Sequence, residues 1–150
     1  MVNDLKNISD PLVGLPMVTP FNGNDEVDYD SAEFNIGKWN HTNADIIIVG
    51  SASGEESYLS EKEKLNLLSV VSKSLNKEKI TCAGIDNPSI TETLRLANNY
   101  EKNGASLLRI RYPRNESIIR DYFTEVLKFS PLPVLLMHQG EPLNFGVAPK

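Results

Sequence analysis

Ile46-Ile47-Ile48-Val49-Gly50-Ser51-Ala52-Ser53-Gly54-Glu55 sets four branched aliphatic residues directly against a loop of glycines and small hydroxyls. The aliphatic run is short and shows no polar alternation, so it reads as a strand buried on both faces, as in a parallel sheet. At the carboxyl end of such a strand, glycine-rich backbone can turn sharply and point several N–H groups into a pocket. Small hydroxyl side chains there can hold a carboxylate without filling the space. Taken alone, Ser51 to Gly54 reads more readily as a tight strand-to-helix connection with no ligand, so the choice falls to the rest of the chain.

Working outward, four more short apolar runs appear: Leu15 to Val18, Ile80 to Ala83, Leu107 to Ile110 and Val134 to Met137. Between them lie helical stripes. Ala32, Ile36 and Trp39 share one face, and Leu68, Val71 and Leu75 share another. Ile90, Leu94, Ala97 and Tyr100 form a third stripe, and Ile119, Phe123 and Val126 a fourth. Ser60-Glu61-Lys62-Glu63 and Ser89-Ile90-Thr91-Glu92 both fit a capping box, and Gly104 after Asn103 suits a left-handed stop. The order is β-α-β-α-β-α-β-α-β, with parallel strands and right-handed crossovers expected. Two architectures fit it: a five-stranded doubly wound, flavodoxin-like domain, or about five βα units of a (β/α)8 barrel. Periodicity does not separate them.

Composition narrows the function classes. With 40% hydrophobic and 23% charged residues, the 150-residue chain is of ordinary globular type and forms a single domain. Its net charge of −5 and interspersed charges leave no basic stripe, which argues against nucleic acid and anionic membrane as partners. One cysteine, Cys82, excludes a disulfide framework or thiolate metal cluster. Two histidines, His41 and His138, without a carboxylate cluster at ligand spacing, give no metal site. The polar N-terminus lacks a signal-peptide core and no apolar run reaches membrane-span length, so a cytoplasmic protein is expected.

Particular residues then favour the barrel. Gly14-Leu15-Pro16-Met17-Val18-Thr19-Pro20-Phe21 with Val27-Asp28 resembles the opening strand and loop of the dihydrodipicolinate synthase/N-acetylneuraminate lyase family of pyruvate-dependent aldolases. Val49-Gly50-Ser51-Ala52-Ser53-Gly54-Glu55, with Leu59-Ser60 and Glu63, resembles its signature loop. Ala83-Gly84 with Ser89, Asn103-Gly104-Ala105, and Leu132-Pro133-Val134-Leu135-Leu136 match its later units in order and spacing, over roughly residues 12 to 137. The resemblance implies the amino-terminal part of a TIM barrel, ending before the sixth strand. It also implies that the loop binds the carboxylate of a 2-oxo acid. Ser51, Ala52, Ser53, Gly54 and Glu55 are then the expected substrate-binding residues. Aligned on Gly54-Glu55, Ser53 takes the second hydroxyl position and Ala52 the first, with Ser51 the nearest replacement for the missing hydroxyl.

Other positions depart from the family. Its tyrosine after the fifth strand, which moves protons to and from a Schiff base, is Met137 here, and a thioether carries no titratable proton. His138 has the right intrinsic chemistry but faces the opposite way on a regular strand; it is either a substitute acid–base or a solvent-facing or structurally bonded histidine. Tyr112 stands where the family often has a relay tyrosine. Arg111 can bind a substrate carboxylate or pair with surface acids. The imine-forming lysine falls a strand and a helix beyond residue 138, past the end of this chain.

The expected function is therefore a Schiff-base-forming aldolase or lyase acting on pyruvate or another 2-oxo acid when full length, with Tyr112 and His138 as candidate catalytic groups and no cofactor. The isolated 150 residues, without the imine-forming lysine, are expected to be inactive, and their unpaired edges on the first and fifth strands are an aggregation hazard. The alternative, motivated by Met137 and Ala52, is a non-catalytic 2-oxo-acid-binding or regulatory member. By resemblance the full-length protein is a homo-oligomer, dimer or tetramer.

Overall fold

The structure, a computed structural model, describes residues 11–111 and 116–137. The five strands are β1 (Gly14–Pro16), β2 (Ile46–Val49), β3 (Ile80–Ile85), β4 (Leu107–Arg111) and β5 (Val134–Met137). Between them run four helices: α1 (Tyr29–Trp39), α2 (Glu61–Ser74), α3 (Ile90–Lys102) and α4 (Ile119–Phe129). The strands pair in chain order, β1-β2-β3-β4-β5, and every neighbouring pair is parallel. A doubly wound sheet reverses its strand order at a switch point and carries helices on both faces. This order never reverses, which removes the flavodoxin-like alternative. The sheet is a curled half-barrel, the first five βα-type units of a (β/α)8 barrel.

Alternation along each strand sorts side chains between two faces. Ile47, Val49, Ala83, Ile85, Leu108 and Ile110 pack outward beneath the helices, against Ile36, Leu68, Val71, Ala97 and Val126. Ile46, Ile80, Cys82 and Leu107 form a smaller cluster on the inner face, with Ile48 packed against it. Each fully buried aliphatic side chain of this kind stabilises by about 1.5–3 kcal/mol relative to exposure. On β5, Leu135 and Leu136 point to opposite faces and both remain exposed.

Helix boundaries follow local chemistry. Asp28 caps α1 by accepting from the Ser31 amide at 2.9 Å. Ser60 and Glu63 form the full reciprocal box that opens α2. At α3 only half of the expected box exists. Ser89 accepts from the Glu92 amide at 3.3 Å, while the Glu92 carboxylate turns to Arg95 at 2.5 Å. A guanidinium one turn on offers a charged partner, a stronger one than a backbone amide. Gly104, at φ +96°, ends α3 as expected, and a Cβ there would collide with Ser72. Tyr122, absent from the expected stripe of α4, is fully buried; its hydroxyl donates to the Asn87 carbonyl at 2.8 Å and bonds the Thr93 hydroxyl at 2.8 Å.

Candidate functional site

All five strands point the same way, so the loops that follow them gather at one end of the sheet. Gly50 leaves β2 at φ +73°, a left-handed turn that favours glycine. Ser51 leads into a single 3₁₀ turn over Ala52–Gly54, closed by Gly54 N–H to Ser51 O at 2.9 Å and Glu55 N–H to Ala52 O at 3.1 Å. Glu55 ends it at φ +56°. The amides of Ala52 and Ser53 head this turn and have no acceptor within it, as at any helical start. Gly54 packs against the segment after β1. Its carbonyl accepts from the Thr19 hydroxyl at 2.7 Å, and a Cβ on it would lie 2.7 Å from the Met17 carbonyl oxygen.

The five loop residues expected to bind substrate are thus gathered into one turn, but their side chains diverge. Ser51 is buried, and its hydroxyl has no hydrogen-bond partner among the described residues. Ala52, Ser53 and Glu55 are exposed. Tyr112 and His138 lie outside the described residues.

Next to this turn stands an ion cluster that sequence reading did not anticipate. Arg109 and Arg111, two apart on β4, share its inner face. Arg109 is 4% exposed and donates through Nη2 to the Gly50 carbonyl at 2.8 Å and to Glu56 Oε2 at 3.1 Å. Arg111 donates to Glu56 Oε1 at 2.5 Å. Glu56 is itself 5% exposed, so one buried carboxylate bridges two guanidinium groups. Arg111 therefore pairs with a buried acid, Glu56, as well as with an exposed acid of the kind considered above. Asp86 approaches Arg111 Nε at 3.4 Å, with its own side chain 41% exposed. The Nε atoms of both arginines are buried without a hydrogen-bond acceptor among the described residues. The signal that could have revealed the cluster is the Arg-Ile-Arg spacing, because charges two apart on a strand project together.

Met137 completes the inner face. Its backbone pairs with Arg111, and its sulfur accepts from Arg109 Nη1 at 3.1 Å. The residue in the tyrosine position is therefore engaged with a cation, and its thioether supplies no proton. Cys82 lies on the same face of β3, where burial pushes its thiol up to about 12 against the opposing pull of Arg109. It stays a protonated, unreactive thiol near neutrality.

Comparison with known proteins places this geometry. The model of the dihydrodipicolinate synthetase family matches residues 12–139. The 4-hydroxy-tetrahydrodipicolinate synthase of Heliobacterium modesticaldum is 30% identical over 125 residues, covering 80% of this chain and 41% of that protein. The enzyme of the same name from Staphylococcus epidermidis is 25% identical over 142 residues, 92% of this chain and 48% of its own. Among solved structures, dihydrodipicolinate synthase from Cyanidioschyzon merolae superposes with a TM-score of 0.81 at 26% identity, over 91% of this chain and 47% of that one. N-acetylneuraminate lyase from Mycoplasma synoviae shares the fold, with a TM-score of 0.71 at 20% identity over 83% and 45%. The chain spans about half the length of the curated relatives it matches. Among the described residues, no helix is long and apolar enough to cross a membrane.

Proposed function

The chain belongs to the dihydrodipicolinate synthetase family, and from that premise we propose that it supplies the amino-terminal five βα-type units of a Schiff-base-forming aldolase or lyase acting on pyruvate or another 2-oxo acid. The observation that carries the reading is the turn at residues 51–55. It is a glycine-bounded turn at the carboxyl end of β2, with two amides free of partners within the turn and a buried hydroxyl unpartnered among the described residues. Such a turn offers hydrogen-bond donors to a carboxylate in a space kept small by Gly50 and Gly54. The imine-forming lysine would come from a sixth strand beyond residue 150, so these 150 residues alone bind without turning over. A protonated imine there acts as the electron sink for carbon–carbon bond making or breaking. The reading takes a small 2-oxo acid as the ligand of a cytoplasmic homo-oligomer, and family membership supports it.

Calorimetric titration of the intact protein with pyruvate tests the loop. Ser51→Ala and Ser53→Ala each remove a hydroxyl donor, and at least one should weaken binding about tenfold, the effect of one lost hydrogen bond to a charged group. Unchanged affinity in both would contradict the assignment. One observation favours a second reading, a non-catalytic 2-oxo-acid-binding member: Met137, in the tyrosine position, is tied to Arg109. That reading predicts ligand-induced thermal stabilisation without aldol turnover, and measurable turnover would exclude it.

A further inference from the structure

The geometry points to a carboxylate-binding subsite at Arg111, separate from the turn at residues 51–55, in which Asp86 is an exchangeable occupant. Three observations meet there. First, the buried charges do not balance: among the described residues, Arg109 and Arg111 face a single buried carboxylate, Glu56. Second, donors outnumber acceptors. Arg109 spends its Nη groups on Gly50, Glu56 and Met137, and Arg111 spends Nη2 on Glu56, yet the Nε of each is shielded from solvent with no acceptor among the described residues. A buried polar group without a partner marks a place where an acceptor belongs.

Third, the group that partly answers this need is loosely held. Asp86 lies 3.4 Å from Arg111 Nε without making a hydrogen bond, and its side chain is 41% exposed where the Glu56 side chain is 6%. The Arg111 side chain, at 16%, is also more open than that of Arg109, at 5%. Glu56 and Arg109 therefore form the fixed wall, and Asp86 is the removable side. Leaving Arg111 would cost Asp86 little. It lines a cleft of about 150 Å³ together with Lys64, so a cation remains within the same cleft. A small organic carboxylate has two oxygens for the Nε edge of a guanidinium, and the planar fork of arginine fits that geometry.

The subsite does not depend on imine formation, so its probe is malonate, which has no keto group. Titrating malonate into the intact protein at low ionic strength should give saturable binding. Asp86→Asn removes the competing charge and should tighten that binding about threefold to fivefold, the scale of a partly exposed ion pair. Arg111→Gln should weaken it at least about tenfold, and Arg111→Lys, which keeps the charge but loses the fork, should also weaken it. Asp86 is half exposed, so Asp86→Asn gives a folded readout even if the arginine variants misfold. The proposal is overturned if malonate does not bind, if Asp86→Asn binds it no tighter than the parent, or if a folded Arg111→Gln protein binds it equally well. Malonate binding of the expected pattern without pyruvate–imine trapping would leave the subsite standing and remove the aldolase reading instead.

Discussion

Arg109 on β4 donates to the carbonyl of Gly50 at the end of β2, 2.8 Å away, and crosses β3 to reach it. The crossing is possible because β3 carries Gly84 at that point. A Cβ there would run into both the Gly50 carbonyl and the Arg109 guanidinium. Three strand ends are thus locked together by one side chain passing over one bare position.

Gly84→Ala should therefore destabilise the protein by about 1–3 kcal/mol or more, because the atoms in the way are backbone and a buried side chain that cannot move aside cheaply. Urea unfolding midpoints check this. A parent-like midpoint would show that the crossing is not as close as described.

Glu56→Ala strands two guanidinium groups on the inner face and should cost about 3–5 kcal/mol. Replacing the whole cluster with apolar residues, Glu56→Leu with Arg109→Met and Arg111→Met, should cost less than the single change. A buried ion cluster is costly to break and much less costly to replace. If the triple variant is less stable than Glu56→Ala, the cluster is a net source of stability.

Cys82 should resist thiol reagents in the folded protein at pH 8, since burial holds its pKa at about 12 and leaves almost no thiolate. It should react at the rate of a free thiol once urea unfolds the chain. Prompt labelling of native protein would mean that the inner face opens readily.

The Glu61–Arg95 pair gives a pH signature. Hydrogen bonds from Arg95 hold the Glu61 carboxyl below its ordinary 4.5. A depressed carboxylate contributes stability above its unfolded value and loses it as pH falls through the folded one. The stability gap between parent and Arg95→Ala should therefore be constant above about pH 5 and shrink towards pH 3. Both side chains are more than a third exposed, so solvent screening should keep the gap small. A gap that widens on acidification would reverse the assigned sign.

Much of the wall of this half-barrel was legible. Ile46–Val49 and Val134–Met137 are strands with the bounds that their apolar runs suggest, and Ser60 and Gly104 begin and end helices as their chemistry dictates. The choice between a doubly wound sheet and a barrel was not legible from periodicity, because both bury their strands alike. Ordered family motifs made it, and the sequential strand order agrees. The site was less legible. The turn at residues 51–55 could be read from its glycines, but the packing of Gly54 against Met17 and Thr19, from another loop, could not. Glu56 looks like one more surface acid until β4 brings Arg109 and Arg111 against it from more than fifty residues away.

The most direct test of the central claim is an intact mass of the protein from its natural source after incubation with pyruvate and borohydride. The account predicts a chain about twice this length, in line with the relatives it half covers, carrying one reduced pyruvate adduct on a lysine beyond residue 150. A full-length, folded protein on which neither pyruvate nor any other 2-oxo acid leaves an adduct would contradict it.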